Sequence, residues 1–134
     1  MEENATLINE KITLLRESRM QFLRLHKMLI DIEREEYEKS NGRVSSGQFL
    51  NLLLGERNFQ WLRKFSVLIV EIDEMFDLDD GFTEEMLERH LSQMRDILDL
   101  KIPDQEFNDK YRNVLQTNSE IAGKHAELKN LLAA

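Results

Sequence analysis

Arg19, His26 and Glu33 recur at intervals of seven, a spacing that returns to one stripe of an α-helix after two turns. Phe22 and Leu29 alternate with them, and further on Ser66 and Asp73 repeat the interval beyond Trp61. If the two stripes face each other, an imidazole, a guanidinium and two carboxylates meet inside a helical protein. Such a set supports acid–base or metal chemistry, with His26, Glu33 and Asp73 moving a proton or holding an ion. It equally supports a closed polar layer, in which His26 or Arg19 bonds Asp73 or Glu33 because a buried charge without a partner is expensive. A di-iron carboxylate site needs Glu-x-x-His pairs, and no glutamate here precedes a histidine by three. The spacing favours the structural layer, and with it no metal and no cofactor. A small-ligand-binding protein or an acid–base enzyme built on the same residues is the alternative.

Two other constellations resolve the same way. Asp77, Asp79, Asp80 and Gly81 suggest a calcium loop, but counting from Asp77 puts Gly81 fifth instead of sixth. Counting back from Gly81 puts Phe76 first and Leu87 twelfth, where acidic ligands are required. An acidic turn is the better reading. Arg57, Arg63 and Lys64 surround Phe59 and Trp61, a mixture that could stack on bases. Trp61 and Leu62, however, continue an apolar stripe through Phe65 and Ile69, with Arg63 and Lys64 on the solvated side. Trp61 keeps a second role open, because an amphipathic ring at a helix start can line a ligand cleft.

These residues are positioned by helices. Ile8, Ile12, Leu15, Phe22 and Leu29 predict a long first helix over residues 5–39, broken by Ser40-Asn41-Gly42. Ser45 and Gln48 form a capping-box pattern before a short helix over 49–54, which Gly55 closes. Asn58 then caps a central helix over 58–76 that is apolar on nearly every side. Thr83, followed by Glu84 and Glu85, opens a fourth helix with Leu87, Leu91, Met94 and Leu98 on one face. Past Pro103, Asp104 caps a fifth, continuous helix carrying Phe107, Tyr111, Val114, Ile121, Leu128 and Leu132. The expectation is all-α: one antiparallel bundle domain of about five helices over residues 1–134, with long N- and C-terminal helices.

Composition narrows the function classes. The chain has 134 residues and one proline, enough for one domain that hides roughly two-thirds of its unfolded surface. With 26 acids against 18 bases and a net charge of −8, neither nucleic acid nor an anionic membrane surface is an expected partner. There is no cysteine, which removes thiol chemistry and gives no sign of an oxidising compartment. The acidic start and the absence of any long apolar run point away from a signal peptide or membrane span, so the expected location is cytoplasmic.

Leu25-His26, Leu29, Asp31, Glu33-Arg34, Tyr37, Gly42, Phe49-Leu50, Leu52-Leu53-Leu54, Phe59, Trp61-Leu62-Arg63, Ser66, Leu68-Ile69 and Ile72-Asp73 resemble a group of small bacterial proteins of unknown function expected to be helical bundles. The likeness covers the middle third to half of the chain. It implies a bacterial source and an all-helical fold, and no activity or cofactor.

Association is the remaining reading. Between Glu71 and Glu88 there are nine acids and no base. Arg19, Arg24 and Lys27 could neutralise some of them, or a basic partner protein could dock there. The first and fifth helices are expected to overhang the shorter ones. Their overhangs carry Leu7, Ile8, Ile12 and Leu15 on one side and Ile121, Leu128, Leu131 and Leu132 on the other. Asn118 and His125 sit a heptad apart on the second seam, positions where polar residues set register. The reading is a non-enzymatic, self-associating protein, a homodimer joined through Ile8, Ile12, Leu15, Ile121, His125 and Leu128; the alternative is that the overhanging halves pair within one chain, their outer sides solvated by Lys11, Arg16, Lys124 and Lys129.

Overall fold

The computed structural model describes residues 2–133. Among them there is no strand, and six α-helices take the place of the expected five. The first, α1 (Glu2–Asn41), has 40 residues and at 1.5 Å per residue is roughly 60 Å long. It stops at Gly42, whose φ of 80° lies in the left-handed region where a side chain would be strained. The turn is pinned from both sides: Arg34 donates to the Val44 carbonyl at 2.6 Å, and the Val44 amide donates to Glu38 at 2.9 Å. The Ser45–Gln48 capping box then opens α2 (Ser46–Gly55) as expected.

Asn58 does not cap the central helix. The chain enters through a 3-10 segment (Arg57–Leu62), and α3 (Arg63–Phe76) follows with no side-chain cap. Phe59, Trp61 and Leu62 are all buried there. The tighter winding places side chains three apart above one another, so Phe59 and Leu62 can both point inward. Thr83 and Asp104 cap α4 (Glu84–Leu98) and α5 (Gln105–Thr117) by accepting from the Met86 and Phe107 amides. Between these helices Leu100 takes a positive φ of 58° while the Lys101 amide bonds back to Asp96, a Schellman ending with leucine where glycine is usual.

The expected fifth helix is two. Asn118 leaves the helical region, with φ −130° and ψ 108°, and its side chain accepts the Ile121 amide at 3.0 Å. It therefore opens α6 (Ser119–Ala133) and is a cap, not a seam residue. The chain reverses at that point. Tyr111 and His125, fourteen residues apart, would lie about 21 Å apart along a continuous helix, yet the Tyr111 hydroxyl and His125 Nδ1 are 2.6 Å apart. So folded, α6 packs against α1, α4 and α5. Lys124 reaches Gln21, Arg95 donates to the Leu132 carbonyl at 3.0 Å, and Lys129 pairs with Asp99 at 3.0 Å.

One cluster of buried side chains draws on every helix. At its centre Phe65 stacks on Phe22 at 4.7 Å and meets Tyr111 edge-on at 5.5 Å, joining α1, α3 and α5. The central helix runs back along α1, as successive contacts Phe76 with Arg16, Asp73 with Arg19 and Phe65 with Phe22 show.

Candidate functional site

The stripe of α1 does not converge into one polar layer. Residues seven apart are about 10.5 Å apart along the axis, so Arg19, His26 and Glu33 each meet a different level of the core. Arg19 grips Asp73 with both arms of its guanidinium, Nε to Oδ1 at 2.6 Å and Nη2 to Oδ2 at 2.8 Å. The pair is part-exposed, and fork-to-fork geometry of this kind orients one helix on another more than it stabilises. Ser66 turns its hydroxyl to the Arg63 carbonyl of its own helix.

His26 has no carboxylate partner, contrary to the expectation. Its ring lies nearly parallel to Phe65, 12° off with centroids 5.8 Å apart. Desolvation holds its pKa below the usual value, opposed by the Leu62 backbone; an adjacent carboxylate would have raised it. Burial pushes Glu33 the other way, above the ordinary carboxylate range, offset by the positive charge of Lys110. His125 is also lowered, by desolvation and then by Lys129. Its partner Tyr111 is held far above the usual phenol range by burial.

These shifts give a pH dependence with a definite sign. The unfolded chain takes up histidine protons near pH 6.5, while the folded chain resists them, so stability present above that value is lost as pH falls. Glu33 acts with the opposite sign above its unfolded value of 4.5. The melting temperature should fall between about pH 7.5 and about pH 5.5. A His26→Gln/His125→Gln variant should show a flatter profile, and an unchanged slope would rule out both rings as its source.

Trp61 is buried at 5 % exposure. It meets Phe107 edge-on at 5.8 Å, and its indole N–H has no hydrogen-bond partner. Beside it a cleft of about 520 Å³ separates the start of α3 from the end of α4 and the start of α5. Leu68, Ile97 and Phe107 supply apolar wall, and Lys64 and Asp104 pair across the rim at 3.6 Å. Of the residues singled out for the polar layer, only Trp61 lines this cleft; Arg19, His26, Glu33 and Asp73 do not. Among the described residues no three His, Asp or Glu side chains gather closely enough to hold a metal ion.

The seam assigned to a dimer is used within the chain. Leu15, Ile121 and Leu128 are at most 1 % exposed, and Leu132 only 4 %. Ile8 and Ile12 are partly buried against the same core, and His125 is taken by Tyr111. The C-terminal overhang disappears because α6 folds back, while the first turns of α1 remain exposed, Leu7 at 48 %. In the acidic stretch, Asp73 is neutralised by Arg19, Glu84 and Glu88 by Lys11, and Glu85 by Arg89. Glu71, Glu74, Asp77, Asp79 and Asp80 have no ion pair among the described residues.

Six of the eight large apolar side chains exposed among the described residues lie on the first three helices: Met20 and Leu23 on α1, Leu50 and Leu54 on α2, Val67 and Val70 on α3; α1 packs on α3, and α2 packs on the 3-10 segment that leads into it. Leu23 lies on the same stripe as Arg16, whose guanidinium is 4.0 Å from the centre of the Phe76 ring, so it flanks α3. The end of α2 is tied beside the start of α3 by Arg63, which donates to the Leu54 carbonyl. Sequence reading passed over this face, although the four-three-four spacing of Arg63, Val67, Val70 and Glu74 is itself a helical stripe.

No family model, no curated protein and no solved structure matches the chain. What is shown is therefore an all-helical chain in which no helix of the described residues is long and apolar enough to cross a membrane.

Proposed function

We propose that this is a non-enzymatic interaction protein, an antiparallel helical bundle that associates with itself through the face formed by α1, α2 and α3. The observation that carries the reading is the pair of exposed valines on α3, Val67 and Val70, with the exposed Leu23 of α1 on the side that flanks α3 and the end of α2 tied to its start, since exposed apolar surface rimmed by charge marks protein-binding sites. Its acidic rim, Glu71 and Glu74, suits a cationic group on whatever docks. The lack of cysteine and the resemblance to small bacterial helical proteins support a cytoplasmic, bacterial setting. Light scattering tests self-association: a species of twice 15.9 kDa is expected at about 100 µM, and a mass of 15.9 kDa throughout would reject it.

The cleft beside Trp61 favours a second reading, a small-ligand binder, because its wall carries an indole N–H without a partner. Trp61 is the only tryptophan, so its fluorescence reports directly on that cleft. A saturable change in emission with any low-molecular-weight fraction of a cell extract would favour this reading over the first.

A further inference from the structure

The exposed stripe of α3 reads, in order, Arg63, Val67, Val70 and Glu74. All four are exposed, the valines at 52 % each, and Arg63 and Val67 also border the cleft beside Trp61. The stripe is symmetric about the midpoint between the valines: four residues before Val67 stands a base, and four residues after Val70 stands an acid. Turned end for end, it presents an acid where the original has a base. We propose that the partner on this face is a second copy of the chain, docked about a two-fold axis that crosses α3 between Val67 and Val70.

This deepens the self-association reading above and rests on it. Two-fold docking is isologous, so each contact occurs twice. Val67 of each copy meets Val70 of the other, and Arg63 of each meets Glu74 of the other. Neither has an ion pair among the described residues, and Arg63 donates through Nη2 alone to the Leu54 carbonyl.

The helix dipole supplies an independent argument. Anions are favoured at a helix N-terminus and cations at a C-terminus, yet α3 has no acid in its first turn and no base in its last. Glu74 stands close to the negative end of α3, on the wrong side for its own helix, whereas Arg63 stands where the 3-10 segment runs into α3 with its amide already bonded to the Gln60 and Trp61 carbonyls. In the antiparallel pair the partner's Arg63 lies at that negative end. The misplaced Glu74 is then compensated, and the two helix dipoles oppose each other.

The stripe alone is narrow. Fourteen residues span about 21 Å, and a stable complex buries about 800 Å² on each side. Leu23 on α1, on the stripe that meets Phe76, and Leu54 on α2, whose carbonyl Arg63 holds, flank the stripe and widen it. With that composition a weak dimer is expected, dissociating in the micromolar range and weakening as salt rises.

Sedimentation velocity over a concentration series tests the arrangement on the full chain. Glu74→Arg should weaken the dimer by about tenfold or more, since it sets like charges against each other twice. Arg63→Glu should do the same, and the Arg63→Glu/Glu74→Arg double variant should return to within about threefold of the unaltered chain. Because Arg63 also holds the end of α2, Glu74→Arg is the cleaner single change, with thermal melting confirming that each variant folds. Val67→Glu, which needs no ion pair, should leave a monomer of 15.9 kDa. A dimer that withstands Val67→Glu and Glu74→Arg, or a double variant that fails to recover, would overturn the two-fold placement while leaving self-association standing. An unaltered chain that stays monomeric at every concentration would overturn both.

Discussion

Replacing Phe65 by alanine is expected to destabilise the protein by about 3 to 5 kcal/mol, the range for removing a buried phenylalanine. Phe65 is fully buried and touches aromatic partners on two other helices at once. It stacks on Phe22 and faces His26 on α1, and it meets Phe107 and Tyr111 on α5. Aromatic pairs contribute about 0.5 to 1.5 kcal/mol each beyond their buried area. They do not add independently, because the same cavity removes them all. Against a total stability of about 5 to 15 kcal/mol, this single change would consume a large share. The urea midpoint measures it, with Trp61 fluorescence as the signal, since that indole rests on Phe107 and Tyr111. A shift of less than about 1 kcal/mol would mean that the core is not centred on this ring.

Much of this core was legible in the sequence, and for a physical reason. The apolar residues of the first, central and fourth helices recur with helical period, and the signals at Ser45, Thr83 and Asp104 are local, so both survive folding unchanged. Four features were not legible. Asn118 looked like a polar residue on a continuous seam because Phe107, Tyr111, Val114, Ile121 and Leu128 keep their spacing across it. A cap and an interior asparagine are alike in sequence, and only the reversal that brings Tyr111 to His125 distinguishes them. The 3-10 entry to α3 was missed because its three-residue spacing is also an α-helical spacing. The polar layer failed for another reason: a seven-residue stripe was read as one level of a core when it crosses several. Arg19 and Asp73 are a pair, as the layer reading allowed, but His26 faces Phe65 and Glu33 faces the field of Lys110. The cleft at Trp61 depends on the corner at Leu100, whose left-handed backbone no leucine in a sequence announces.

The cap at Asn118 decides which apolar seam meets water, and one substitution made at two places tests it. Ile121→Glu is expected to cost about 4 kcal/mol or more, since it removes a buried aliphatic side chain and leaves a carboxylate without a partner. Ile121 is 1 % exposed and Leu128, on the same face, equally so; the face is covered by the chain itself, with Leu15 of α1 fully buried in the same core. Ile121→Glu should therefore lower the melting temperature sharply and loosen α6 as a unit, visible as lost helical ellipticity and as cleavage within residues 119–133 by a protease at low dose. Val67→Glu places the same charge on a residue that is 52 % exposed. It should change stability by no more than about 0.5 kcal/mol, while removing the dimer. The two variants thus separate a seam that holds the fold from one that holds a partner. If Ile121→Glu instead left the melting temperature unchanged and lowered only the mass, α6 would not pack on its own chain. The helix would then run on through Asn118, and the seam of Ile121 and Leu128 would be the surface on which two copies meet.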